Sequence, residues 1–132
     1  MKFARIVFYL EIVLNFVSAT LAFAAPASYV ALFTDQTIAP VPLEVVRGYG
    51  VLLYVFVWVM FRALRQPDEN ALSFVVEGFL IGDLLELVAL VIFSHTAGDY
   101  SKLIGTALIT VLLAVVRIYW LIGHYRRKPV TA

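Results

Sequence analysis

The chain has 132 residues, 63% of them hydrophobic and 14% charged, with a formal net charge of +1. Soluble domains are about 45–50% apolar and about 25% charged, so a water-soluble fold of this size and an intrinsically disordered chain are both excluded. The balance of 10 basic and 9 acidic residues speaks against nucleic-acid binding, and the lack of cysteine excludes disulfides, thiolate catalysis and cysteine-ligated metals.

A membrane-crossing helix needs about 20 mainly apolar residues. Four segments qualify: 6–25, 45–64, 71–93 and 103–123. The expected fold is therefore all-α: a single domain over 1–132 forming a four-transmembrane-helix bundle. The first span follows Lys2 and Arg5, and Ala22-Phe23-Ala24-Ala25 resembles a signal cleavage site. Glu11 and Asn15 interrupt its apolar run, so a retained helix is expected. Pro26 ends it.

The connection 27–44 is the longest. Its apolar part, Tyr29-Val30-Ala31-Leu32-Phe33, fits a short interfacial helix. Long connections serve as lids, docking surfaces or plain spacers. The second span opens with Arg47-Gly48-Tyr49-Gly50. It carries Tyr54 and Trp58 one turn apart, as candidate pocket lining or as packing. It stops before Gln66-Pro67-Asp68.

The third span holds Glu77, Asp83 and Glu86, together with Gly78 and Gly82. Gly-xxx-Gly spacing predicts close approach of a neighbouring backbone. The loop 94–102 carries His95 and Asp99, a weak metal pair, and no metal site is expected. His95 and His124 fall at opposite membrane faces, which excludes a transmembrane bis-histidine haem. The fourth span ends in Arg126-Arg127-Lys128, a tail suited to anionic lipid. Pro26, Pro40, Pro42, Pro67 and Pro129 all lie outside the four segments.

Basic residues set orientation. Lys2, Arg5, Arg62, Arg65, Arg126, Arg127 and Lys128 fall on one side, Arg47 and Lys102 on the other, and Arg117 inside the fourth span. Both termini and the loop 66–70 are thus expected to be cytoplasmic. The loops 27–44 and 94–102 are expected outside. The localisation that follows is multi-pass, in the cell inner (plasma) membrane.

Ionisable residues within spans cost several kcal/mol unless paired or hydrated, which makes each one a candidate site. Glu11, Glu77 and Arg117 share a layer about 10 Å from the cytoplasmic end of their helices. Asp83 lies near the midplane. Glu86 lies within downward reach of Arg47. Glu11, Asn15, Ser18 and Ala22 form one stripe, and Thr106, Thr110, Ala114, Arg117, Leu121 and His124 another. Both stripes are expected to turn inward. On the wheel Asp83 and Glu86 lie about 60° apart, and Glu77 about 180° from Glu86.

Two accounts of these groups follow. In the first they hold helices together, with Arg117 neutralising Glu11 or Glu77, Arg47 neutralising Glu86, and Asn15, Thr106 and Thr110 bonding between helices. In the second the surplus of four acids over two arginines is functional. Asp83 is then the acid expected to be protonated, hydrated or ligand-bound.

The architecture of the whole chain resembles the small bacterial four-helix membrane proteins grouped as DoxX-like. Locally the resemblance rests on Arg47-Gly48-Tyr49-Gly50 and Gly82-Asp83-Leu84-Leu85-Glu86. It implies a four-span bundle and transfers no catalytic residue. The buried acids are also similar to those of the emopamil-binding-protein type, but the chain lacks that type's fifth span.

Three functions remain open. The leading expectation is a non-catalytic subunit or scaffold packed against partner helices, or against a second copy, in a larger membrane assembly. The second is a binding protein or enzyme for a lipophilic small molecule, with Asp83 and Glu86 as polar anchors and Arg47, Tyr54 and Trp58 as lining. The third is proton- or cation-coupled transport through the buried carboxylates. The sequence names no cofactor, and it leaves open whether the protein is an enzyme. The lipid bilayer is the one partner that all three readings share.

Overall fold

The computed structural model describes residues 2–97 and 100–127. Gly98, Asp99, Lys128 and Pro129 lie outside the described residues, and with them the proposed His95–Asp99 pair and part of the basic tail.

Five helices follow in chain order: α1 (Lys2–Ala24), α2 (Pro26–Val30), α3 (Pro40–Arg65), α4 (Glu69–Ala97) and α5 (Tyr100–Arg127). No strand occurs among the described residues. The first span runs without proline or glycine until Ala25, whose φ of −139° and ψ of 65° leave the helical region ahead of Pro26. Pro26 then opens α2 as its first residue.

The second helix of span length begins earlier than the hydropathy predicts. Pro40 is the first residue of α3, after an extended Ala39, and Pro42 lies in its first turn. Both prolines are thus inside the helix, where their missing N–H groups would have been unpaired anyway. At the other end Arg62 and Arg65 occupy the last turn and complement the helix dipole. Arg5 reaches over from α1 and donates to the Leu64 carbonyl at 2.8 Å. The Asp68 carboxylate caps α4 by accepting from the Asn70 N–H at 2.8 Å. The connection between α3 and α4 therefore shrinks to Gln66–Asp68.

The helices pack as two close pairs, α1 with α3 and α4 with α5. The first pair is tight because of Gly50. A Cβ there would stand 2.8 Å from the Phe23 nitrogen and 2.9 Å from the Ala19 oxygen, so only glycine lets α3 lie on the α1 backbone. Gly48, Gly78 and Gly82 have nothing within 4 Å of such a Cβ. The expected close approach at Gly78-xxx-Gly82 is thus absent among the described residues. The close contact belongs to Gly50 instead.

The two pairs meet in a dry core at the Gln66–Asp68 end. Phe8 of α1, Met60 and Leu64 of α3, Leu72 and Val76 of α4, and Trp120 of α5 are its main members. Phe8 and Trp120 pack edge to face with centroids 6.2 Å apart.

The outer faces of the helices are apolar: Leu10 and Val13 on α1, Leu52 on α3, Leu85 and Val88 on α4, and Leu108 and Leu112 on α5 are all more than half exposed. Such a surface suits hydrocarbon and not water. α1, α3 and α5 are each long and apolar enough to cross a membrane.

Candidate functional site

A cavity of about 890 Å³ occupies the space between the two helix pairs. Its position follows from the sequence of α1 and α5. The α1 stripe places Glu11, Asn15 and Ser18 on its wall, and the α5 stripe contributes Thr106 and Thr110. α3 adds Tyr49, Leu53 and Phe56, and α4 adds Phe79, Gly82, Asp83 and Glu86. The bare glycine at 82 leaves room where a side chain would intrude.

The floor of the cavity is a charged triad. Arg117 is fully buried and donates to Asp83 through Nη1 and to Glu11 through Nη2. Its guanidinium also lies over the Phe79 ring, 5.3 Å from the centroid. One arginine thus ties α1, α4 and α5 together. Each buried charge gains a partner, which is the condition for tolerating it in hydrocarbon. The second oxygen of Glu11, Oε2, is buried without a hydrogen-bond partner.

These contacts revise the expected pairing. Asp83, expected as the surplus acid, is bound to Arg117. Arg47, expected to neutralise Glu86, pairs within its own helix with Glu44, Nε to Oε2 at 3.3 Å. Glu86 has no cationic partner among the described residues. It is solvent-accessible and borders both the main cavity and a second one of about 650 Å³. Thr110, which also lines the cavity, donates its hydroxyl proton to the Thr106 carbonyl at 3.0 Å.

Glu77 turns away from this group, and the Tyr125 hydroxyl donates to it. It is not part of the triad layer in which the sequence placed it. Asn15 borders the cavity one turn above Glu11.

Tyr54 and Trp58 do not line the cavity. Tyr54 faces α1, where its hydroxyl is 2.8 Å from that of Thr20 and its ring packs edge to face on Phe16. Trp58 is 60% exposed and lies beside Arg62, 5.9 Å from ring to guanidinium carbon. Arg47 also lies off the cavity wall. Tyr29, Phe33 and Tyr49 line the cavity instead, together with the phenylalanines of α3 and α4. The signal for Tyr49 was present: Tyr49, Leu53 and Phe56 repeat the four-then-three spacing that marked the α1 stripe.

Tyr29 belongs to α2, and its ring lies 6.1 Å from Tyr49 and 5.2 Å from Phe33. Burial pushes the Tyr29 phenol well above its usual range, so it stays neutral and acts as a hydrogen-bonding group. α2 and the turn after it therefore cover the end of the cavity away from the core. Lys102, at the start of α5, fixes this cover. It donates to the Ala31 carbonyl at 3.3 Å and pairs with Asp35.

The opposite end is closed by polar contacts as well as by the core. His124 stacks on Trp120 at 5.2 Å, and its Nδ1 lies 3.6 Å from Glu69 at the start of α4. No group of three or more metal-ligating side chains occurs among the described residues. The chain matches no model of a protein family, no characterised protein and no solved structure.

Proposed function

We propose that the chain crosses the cell's inner (plasma) membrane four times, with α4 as the fourth span and both termini cytoplasmic, and that it binds a lipophilic small molecule between its helix pairs. The 29 residues of α4 extend for about 43 Å at 1.5 Å per residue, against a hydrocarbon core of about 30 Å. Leu84, Leu85, Val88 and Val91 are exposed on it, as a lipid-facing surface requires. The basic residues at the Gln66–Asp68 end support placing that end in the cytoplasm.

The observation that carries the binding reading is the cavity itself. Its volume lies in the range of small-molecule sites, and a mainly apolar wall with a few convergent polar groups is the usual construction of such a site. A scaffold that only packs against partners does not require an interior cavity lined by carboxylates. The reading requires no catalytic step.

The test is saturable uptake. Full-length protein in phosphatidylcholine nanodiscs is titrated with a radiolabelled probe carrying a twelve-carbon chain. One saturable site per chain is expected, and Gly82→Phe, which fills the cavity, removes it. Uptake that only tracks lipid content, identical for wild type and Gly82→Phe, would contradict the reading.

A further inference from the structure

The charge on the cavity wall specifies the ligand's head group. Glu11 and Asp83 share the single guanidinium of Arg117, and Glu86 has no cation among the described residues. Three carboxylates thus face one positive charge, and an ionised wall carries a net negative charge. Two atoms remain to be satisfied. Oε2 of Glu11 is buried without a hydrogen-bond partner in a residue only 4% exposed. The Glu86 carboxylate has no cationic partner among the described residues, and the Thr110 hydroxyl on the same cavity donates to the Thr106 carbonyl.

Tyr29 and Tyr49 line the same cavity as Glu86. Their rings attract a cation, and their hydroxyls accept from one. A carboxylate or phosphate in this space would be repelled. A neutral alcohol has one proton to donate and leaves the negative charge unbalanced. An ammonium group offers several donors and balances the charge, and hydrogen bonds between ions are roughly twice as strong as neutral ones.

We infer that the ligand is an amphiphile with an ammonium head, seated at Glu86 and the two tyrosines, with its apolar chain along the rest of the cavity. This deepens the binding reading and rests on it.

The experiment uses full-length protein in phosphatidylcholine nanodiscs and three probes of equal chain length: dodecylamine, dodecanol and dodecanoate. Dodecylamine, protonated at pH 7, is expected to bind saturably and about tenfold more tightly than dodecanol, a difference of ~1.4 kcal/mol. Dodecanoate is expected not to bind. Glu86→Gln should erase the preference while dodecanol still binds, which shows that the cavity persists. Tyr49→Leu should narrow the preference in the same direction.

Equal binding of amine and alcohol, or a preference unchanged in Glu86→Gln, overturns the ammonium assignment and leaves the cavity reading standing. Absence of saturable binding by all three probes overturns both. Nanodiscs containing phosphatidylethanolamine separate two sources of the same head group. Displacement of dodecylamine there identifies a lipid head group, and unchanged binding identifies a free amine. Either result supports ammonium recognition.

Discussion

Arg117 donates to Asp83 across the α4–α5 contact, while both Asp83 and Glu86 line the cavity. Asp83 and Glu86 are three residues apart on one helix. With Asp83 bound to the arginine, Glu86 is the cavity acid without a cationic partner among the described residues.

The first prediction concerns the triad. Arg117→Met leaves Glu11 and Asp83 buried without a cation. Breaking a buried pair in this way costs about 3–5 kcal/mol, so the thermal midpoint in detergent should fall sharply. Adding Glu11→Gln and Asp83→Asn to the same chain should recover most of the loss, because no unpaired charge then remains. A single substitution as stable as wild type would show that the triad does not hold the helices.

The second concerns the α1–α3 contact. Gly50→Ala puts a methyl within 2.9 Å of the Ala19 oxygen. Overpacking of this kind costs about 1–3 kcal/mol, so the variant should unfold at lower temperature. Gly48→Ala, on another face of the same helix, meets nothing within 4 Å and should be neutral or slightly stabilising. Equal effects at the two positions would argue against the close approach.

Much of this arrangement can be read from the sequence, and the reason is energetic. An ionisable residue within an apolar run must turn inward. The stripes Glu11–Asn15–Ser18 and Thr106–Thr110–Arg117 therefore locate two cavity walls by periodicity alone. Partner choice is harder to read. Asp83 and Glu86 lie about 60° apart on the wheel, and both are within a long side chain's reach of more than one helix. Which of them meets Arg117 depends on helix offsets that periodicity does not encode. Arg47 had a nearer partner, Glu44, on its own helix.

The glycines show the same limit. The spacing of Gly78 and Gly82 matches a packing motif, yet a neighbour's position decides whether the bare backbone meets a helix or a void. At Gly50 it meets a helix, and at Gly82 it opens the cavity. Tyr54 and Trp58 were the more conspicuous aromatic pair, but they lie on the faces of α3 that turn to α1 and to the outside.

The third prediction is topological. The chain contains no cysteine, so single cysteines can report sidedness directly. Lys2→Cys, Gln66→Cys and Arg127→Cys should all react with an impermeant maleimide from the cytoplasmic side, and Thr37→Cys from the other. Gln66 and Arg127 labelled from opposite sides would mean that α4 does not cross.

Native mass spectrometry of the protein released from its own membrane reads the occupancy of the cavity. Wild type is expected to carry one bound small molecule per chain, and Gly82→Phe, correctly folded, none. Bare wild-type chain, or chain held in a fixed stoichiometry with a partner polypeptide and no small molecule, would contradict the binding function and restore the scaffold reading.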